Sequence, residues 1–150
     1  MIVFSRSAYD EVVYEGYGGA DREICGVLAG AYADDRTVVT DVYPADNVAD
    51  TPAVRYSIDP EEQFDITETI EDEGLEVAGF YHSHPAGPTH PSETDAARAT
   101  WPDLSYVIVA LDGYPYVGSW RWRADEATFE QELVRVAADS ALEAPAREGR

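Results

Sequence analysis

Two hydrophobic periods alternate along this chain, and each predicts a type of element. Residues 7–17 read as a helix, with Ser5 or Ser7 as its cap and Gly18-Gly19 as its stop. Residues 24–31 and 37–43 read as strands on either side of the polar turn Asp34-Asp35-Arg36. A loop over 45–52 leads to a short strand near 54–58. Asp59-Pro60 then opens a helix, Asp as cap and Pro at the first helical position, which runs to Glu73 and stops at Gly74. Residues 75–81, Leu-Glu-Val-Ala-Gly-Phe-Tyr, are rich in strand formers and lead into His82. Pro85, Gly87, Pro88 and Pro91 make a stiff irregular loop, and residues 93–100 make a short helix that Trp101-Pro102 ends. The strongly apolar run 104–111 is a strand expected at the centre of a sheet, and Asp112-Gly113 turns it into a strand over 116–123. Phe129, Leu133 and Val136 fit helical spacing, so residues 129–136 are ambiguous on pattern alone.

The alternation of helices and strands predicts an α/β (α+β) fold. There is no internal repeat and no linker long enough to divide the chain, so one domain over 1–138 is expected, followed by a disordered tail over 139–150 that carries Pro, Gly and charges. A length of 150 residues suits a single domain with a real core. A hydrophobic content of 45%, with 11% aromatic residues, excludes general disorder.

Charge changes the picture more. Thirty acidic residues stand against ten basic ones, for a net charge of −20, and all ten basic residues are Arg. Such a chain repels itself at low ionic strength. At molar salt the Debye length falls to about 3 Å, and the repulsion is largely screened. A salt-rich cytoplasm is the simplest setting. Nucleic-acid binding is disfavoured, because phosphates call for basic patches. The one cysteine, Cys25, has no internal partner for a disulfide and sits in an apolar strand, where it reads as a packing residue. The first ten residues carry no secretory pattern, and no apolar run approaches the ~20 residues that span a bilayer. The expected partners therefore include neither nucleic acid nor membrane, and the expected location is cytoplasmic.

The candidate chemistry lies in His82-Ser83-His84, followed by Ser92 and Asp95. A strand ending at residues 82–84 puts both imidazoles on one face, because side chains repeat every two residues. Asp95 falls in the first turn of the helix that follows. Two imidazoles and a carboxylate are three protein ligands for zinc, and a catalytic zinc keeps its fourth position open. Histidines at a strand end are also common as hydrogen-bonded structural groups. Ser92 with Asp95 also fits a helix-capping box. The third histidine, His90, competes with Asp95 as a ligand, but its Pro-rich loop favours a solvated role. Ser83 points away from the two histidines and reads as structural. A zinc hydrolase further needs a carboxylate as general base, and in a chain with thirty acids spacing does not say which.

This pattern resembles that of the JAMM/MPN+ metalloproteases: an upstream Glu, then His-[Ser/Thr]-His-Pro, then a Ser seven residues on, then x-x-Asp. The chain has Glu23 in Arg-Glu-Ile-Cys-Gly-Val-Leu, His82-Ser83-His84-Pro85, Ser92 and Asp95, with no departure at these positions. The resemblance runs from about residue 1 to residue 135. It implies a mixed central sheet flanked by helices, with residues 129–136 as a closing strand. It also implies one Zn²⁺ held by His82, His84 and Asp95, Glu23 as the general base and Ser92 as an oxyanion donor. The Lys-free acidic composition is similar to that of the haloarchaeal members, desampylases that remove ubiquitin-like small modifier proteins. The implied substrate bond is the isopeptide between a modifier's C-terminal Gly-Gly and a target Lys, or a peptide bond in a linear fusion. An inactive scaffold of the same fold, or a hydrolase acting on a sulfur-carrier adduct, is the alternative.

Overall fold

The computed structural model describes residues 1–33, 35–112 and 116–142. Strand β1 (Ile2–Ser5) leads into helix α1 (Arg6–Gly18). Ser5 caps that helix, its Oγ accepting the Ala8 N–H at 3.2 Å. Strands β2 (Cys25–Ala31) and β3 (Thr37–Ala45) follow, then α2 (Pro60–Asp72), β4 (Glu76–His84), α3 (Glu93–Arg98), β5 (Ser105–Ala110), β6 (Tyr116–Arg123), β7 (Thr128–Glu132) and β8 (Val134–Ala137). Asp59 caps α2 as expected, accepting the Glu61 and Glu62 N–H groups, with Pro60 at the first helical position. Gly74 ends it at a φ of +77°, where a side chain would be strained.

All eight strands join one mixed sheet in the order β7-β6-β5-β4-β2-β3-β1-β8. β2 and β4 are antiparallel and central, whereas β4 and β5 are parallel. The expectation that the apolar run 104–111 sits at the centre is corrected: β5 lies one place to the side, buried on both faces all the same. On one face, α1 packs Ala8 and Val12 against Tyr81, Val107 and Val109. On the other, α2 packs Ile70 against Val27, Phe80, Leu104 and Tyr106. The architecture is thus a single α+β domain with a mixed sheet flanked by helices, as expected.

Four local readings change. The strand Ile2–Ser5 is not legible in the pattern; it forms because β3 and β8 pair with it on both sides. No strand forms over 54–58, because the side chain of Asn47 takes the Arg55 carbonyl and the Ser57 N–H that a strand would offer to a neighbour. Residues 129–136 are extended but divide into β7 and β8, which lie at opposite edges of the sheet with only Leu133 between them. The sheet therefore curls until its two ends approach. Inside the curl Arg121 of β6 reaches Thr37 Oγ1 at 2.7 Å on β3, the Ala33 carbonyl at 2.9 Å and Glu132 of β7 at 3.4 Å. Finally, residues 139–142, the start of the expected tail, form a 3-10 turn whose Asp139 accepts the Ser7 N–H at 3.1 Å. Residues 143–150 lie outside the described residues, as do Asp34 and Gly113 of the two expected turns.

Candidate metal centre

The end of β4 and the start of α3 meet at one point. His82 and His84 share a face of β4, and Ser83 between them faces away, as the two-residue period requires. Antiparallel pairing sets Cys25 opposite His82, so that Glu23, two residues upstream, comes opposite His84. Ser83 strengthens this register: its N–H donates to the Ile24 carbonyl at 3.0 Å and its Oγ accepts the Ile24 N–H at 2.9 Å. The site is sheltered, with Glu23 5%, His82 2% and His84 4% exposed.

Asp95 arrives from α3 through its helix cap. Ser92 Oγ accepts the Asp95 N–H at 3.0 Å, while Asp95 Oδ2 accepts the Ser92 N–H at 2.8 Å. This reciprocal cap orients the carboxylate toward β4. Oδ1 lies 3.3 Å from His82 Nε2, and Oδ2 lies 3.3 Å from His84 Nε2. The two Nε2 atoms are 3.1 Å apart. The His84 Nδ1–H donates to the Pro88 carbonyl at 2.8 Å, which leaves a bare lone pair on Nε2 in the neutral ring.

These distances suit a metal. The two Nε2 atoms lie 3.1 Å apart, and each has one oxygen of the Asp95 carboxylate at 3.3 Å. Ligands at the ~2.0–2.1 Å of tetrahedral zinc lie about 3.3–3.4 Å apart. Glu23 offers a further carboxylate, one oxygen of which lies within 4.8 Å of a ring nitrogen of each histidine. Its Oε1 is buried with no hydrogen-bond partner among the described residues.

Protonation follows from burial and neighbours. Burial pushes the Glu23 carboxyl up to about 7, with Asp95 adding to the rise and His84 opposing it. Burial also acts to raise Asp95, but its contacts with His82, His84 and the Ser92 N–H together outweigh it and hold the carboxyl well below the usual range. His82 is lowered by burial. For His84 burial acts downward too, yet the contacts with Asp95 and Pro88 leave it raised. Cys25 is buried against the Ala45 carbonyl, and its thiol is pushed up to about 12, the state of an inert packing residue.

The structure thus brings Glu23, His82, His84, Ser92 and Asp95 together. His90 is exposed, its ring turned to the Pro91 carbonyl. Two further residues of the site carry no signal in the sequence pattern. Tyr56 stacks on His82, ring centroids 4.4 Å apart and planes 24° from parallel. Asn47 donates to the carbonyl of Glu23 itself at 2.9 Å. Asn47 falls in the expected 45–52 loop and Tyr56 in an expected strand that does not form, and neither reading points to a site.

Residues 5–125 match the family described as prokaryotic homologs of the JAB domain. The chain is 47% identical over 109 residues, 73% of its length and 76% of the relative's, to a desampylase of Haloferax volcanii. It is 39% identical over 88 residues, 59% of its length and 58% of the relative's, to a CysO-cysteine peptidase of Mycobacterium tuberculosis. A solution structure of a protein from Desulfitobacterium hafniense superposes with a TM-score of 0.82 at 30% identity, covering 92% of this chain and 94% of that one.

Proposed function

The chain belongs to the family of prokaryotic homologs of the JAB domain, the JAMM/MPN metalloproteases, and from that premise we propose that it is a zinc-dependent isopeptidase. It removes ubiquitin-like modifier proteins from target lysines and from linear fusions. The observation that carries this reading is the triangle of His82, His84 and Asp95 donors with the buried Glu23 carboxylate beside it. The likeness to the Haloferax desampylase supports the substrate class. The acidic, Lys-free composition suits a salt-rich cytoplasm. Among the described residues no helix is long and apolar enough to cross a membrane.

His82, His84 and Asp95 would hold one zinc ion. Asp95, held ionised by its contacts with both imidazoles, suits a ligand, whereas Glu23, raised by burial, suits a base. Bound there, zinc supplies Lewis acidity, lowering the pKa of water toward ~7 and polarising a carbonyl. Glu23 then takes the proton of the attacking water and delivers it to the leaving amine. Its orphaned Oε1 is free to receive that proton, and its sheltered setting strengthens the transfer. Ser92 Oγ accepts the Asp95 N–H, so its hydroxyl hydrogen remains to donate to the oxyanion of the tetrahedral intermediate. An inactive scaffold has no use for this complete set.

The test is cleavage of a modifier–lysine conjugate with and without chelator, alongside elemental analysis. We expect about one zinc per chain and activity that chelation abolishes and zinc restores. Cleavage that survives complete removal of metal defeats the reading. The likeness to the CysO-cysteine peptidase favours a second substrate, an amino-acid adduct of a sulfur-carrier protein. Faster release of cysteine from such an adduct than of lysine from a conjugate would favour it.

A further inference from the structure

The two histidines are held in different ways. Metal-ligating imidazoles ordinarily donate their second ring N–H to an oxygen, which fixes the ring's orientation. His84 does so through the Pro88 carbonyl at 2.8 Å. His82 does not: its Nδ1 is buried and has no hydrogen-bond partner among the described residues. What meets the His82 ring instead is the face of Tyr56, 4.4 Å away between centroids. We infer that Tyr56 is a positioning residue for the metal centre, its ring face holding His82 in the ligating orientation that a hydrogen bond provides at His84. This rests on the zinc reading of the site.

A stacked ring can orient a ligand only if it is itself fixed, and Tyr56 is fixed on both sides. Asn47 Nδ2 donates to the Arg55 carbonyl at 2.9 Å, and Asn47 Oδ1 accepts the Ser57 N–H at 3.1 Å. The Val48 N–H donates to the Ser57 carbonyl at 2.9 Å. Arg98 of α3 donates to the carbonyl of Tyr56 itself at 3.2 Å. Tyr56 also shares a cavity of about 180 Å³ with Phe80, Trp101 and Tyr106. The same Asn47 amide grips the Glu23 carbonyl, and the Glu23 N–H donates to Pro52 at 2.7 Å. One loop therefore holds both the Glu23 backbone and the stacking partner of His82. Binding of an electron-withdrawing cation to Nε2 makes the imidazole electron-poor, which strengthens its contact with the π-face of a phenol.

The experiment is a zinc titration against a chromophoric chelator, with the melting temperature of the metal-free protein measured in parallel. Tyr56→Phe keeps the ring face and should bind zinc within about threefold of wild type. Tyr56→Leu keeps bulk but loses the face and should bind ~10–100-fold more weakly, the usual range for loss of an orienting partner. Phe80→Leu alters the same cavity through its ring contacts with Trp101 and Tyr106; it should lower the melting temperature and leave zinc affinity unchanged. Tyr56→Leu binding as tightly as wild type overturns the proposal, as does Phe80→Leu weakening zinc to the same extent. Should Tyr56→Leu not fold, nitrogen-15 spectra of the zinc-loaded wild type decide the point. A strongly hydrogen-bonded Nδ1–H is expected for His84 alone, and the same signature at His82 overturns the inference. Wild-type protein that binds no zinc at all would instead defeat the zinc reading, and this role with it.

Discussion

Asp95 serves two purposes with one carboxylate: it closes the cap of α3 and faces both imidazoles. Asp95→Asn keeps an acceptor for the Ser92 N–H but removes the charge. We expect the melting temperature to change little and bound zinc to fall to background in elemental analysis. Ser92→Ala separates two roles. Loss of a cap costs about 1 kcal/mol, read as a modest fall in melting temperature, whereas loss of an oxyanion donor costs ~10²–10³-fold in kcat. Both effects are expected; unchanged kcat would restrict Ser92 to the cap. Glu23→Gln should retain zinc and lose ~10²–10⁴-fold in turnover, and near-normal turnover by the zinc-loaded variant would assign the base elsewhere. The motif residues were legible because both periods converge on them: a strand face carries His82 and His84, and a helix start carries Asp95. Tyr56 and Asn47 were not, because a ring stack and an amide that reaches along a loop leave no periodic trace.

Helix α1 is tied to the histidine-bearing strand by a part-buried polar contact. The Tyr81 hydroxyl lies 2.9 and 3.0 Å from the two carboxylate oxygens of Glu15. Tyr81 reaches it by lying across Gly26, where any Cβ would collide with the ring. Gly26→Ala should therefore destabilise, by about 1–3 kcal/mol, read as a lower denaturant midpoint. Glu15 also predicts a pH dependence. Burial raises its carboxyl above the usual range, the Tyr81 contact opposing and Glu11 adding. Between the unfolded and the folded value, the native protein holds a proton that the unfolded chain has lost. Stability from this group therefore falls as pH rises through that window. Glu15→Gln should decline less than wild type when melting temperature is followed from acid to neutral pH; parallel curves would contradict the assignment. Elements with strong local signals, such as α2 between Asp59 and Gly74, were read from sequence. β1 was not, since so short a run at the start of the chain carries too little pattern and the strand depends on partners at 37–39 and 134–137. The division of β7 from β8 is likewise set by the curl of the whole sheet.

At the scale of the whole molecule, a net charge of −20 makes the surface self-repulsive at low ionic strength. Screening at molar salt relieves the self-repulsion, so the melting temperature should rise clearly between dilute buffer and 2 M salt; equal values would contradict a salt-adapted surface. Within the curled sheet, Arg121 links β6 to β3 and β7. Arg121→Met should cost on the order of 1–3 kcal/mol for each acceptor left without its donor, seen as a loss of denaturant midpoint. The one-residue crossing at Leu133 has a consequence for the order in which the chain is made. β1 leaves the ribosome well before β8, its outer neighbour in the sheet. Until then β1 presents an open edge, the kind of surface that recruits other chains. A chain terminated at Leu133 should scatter light at concentrations where the 150-residue chain stays clear. A separate peptide of residues 134–142 should restore clarity by taking the vacant place beside β1.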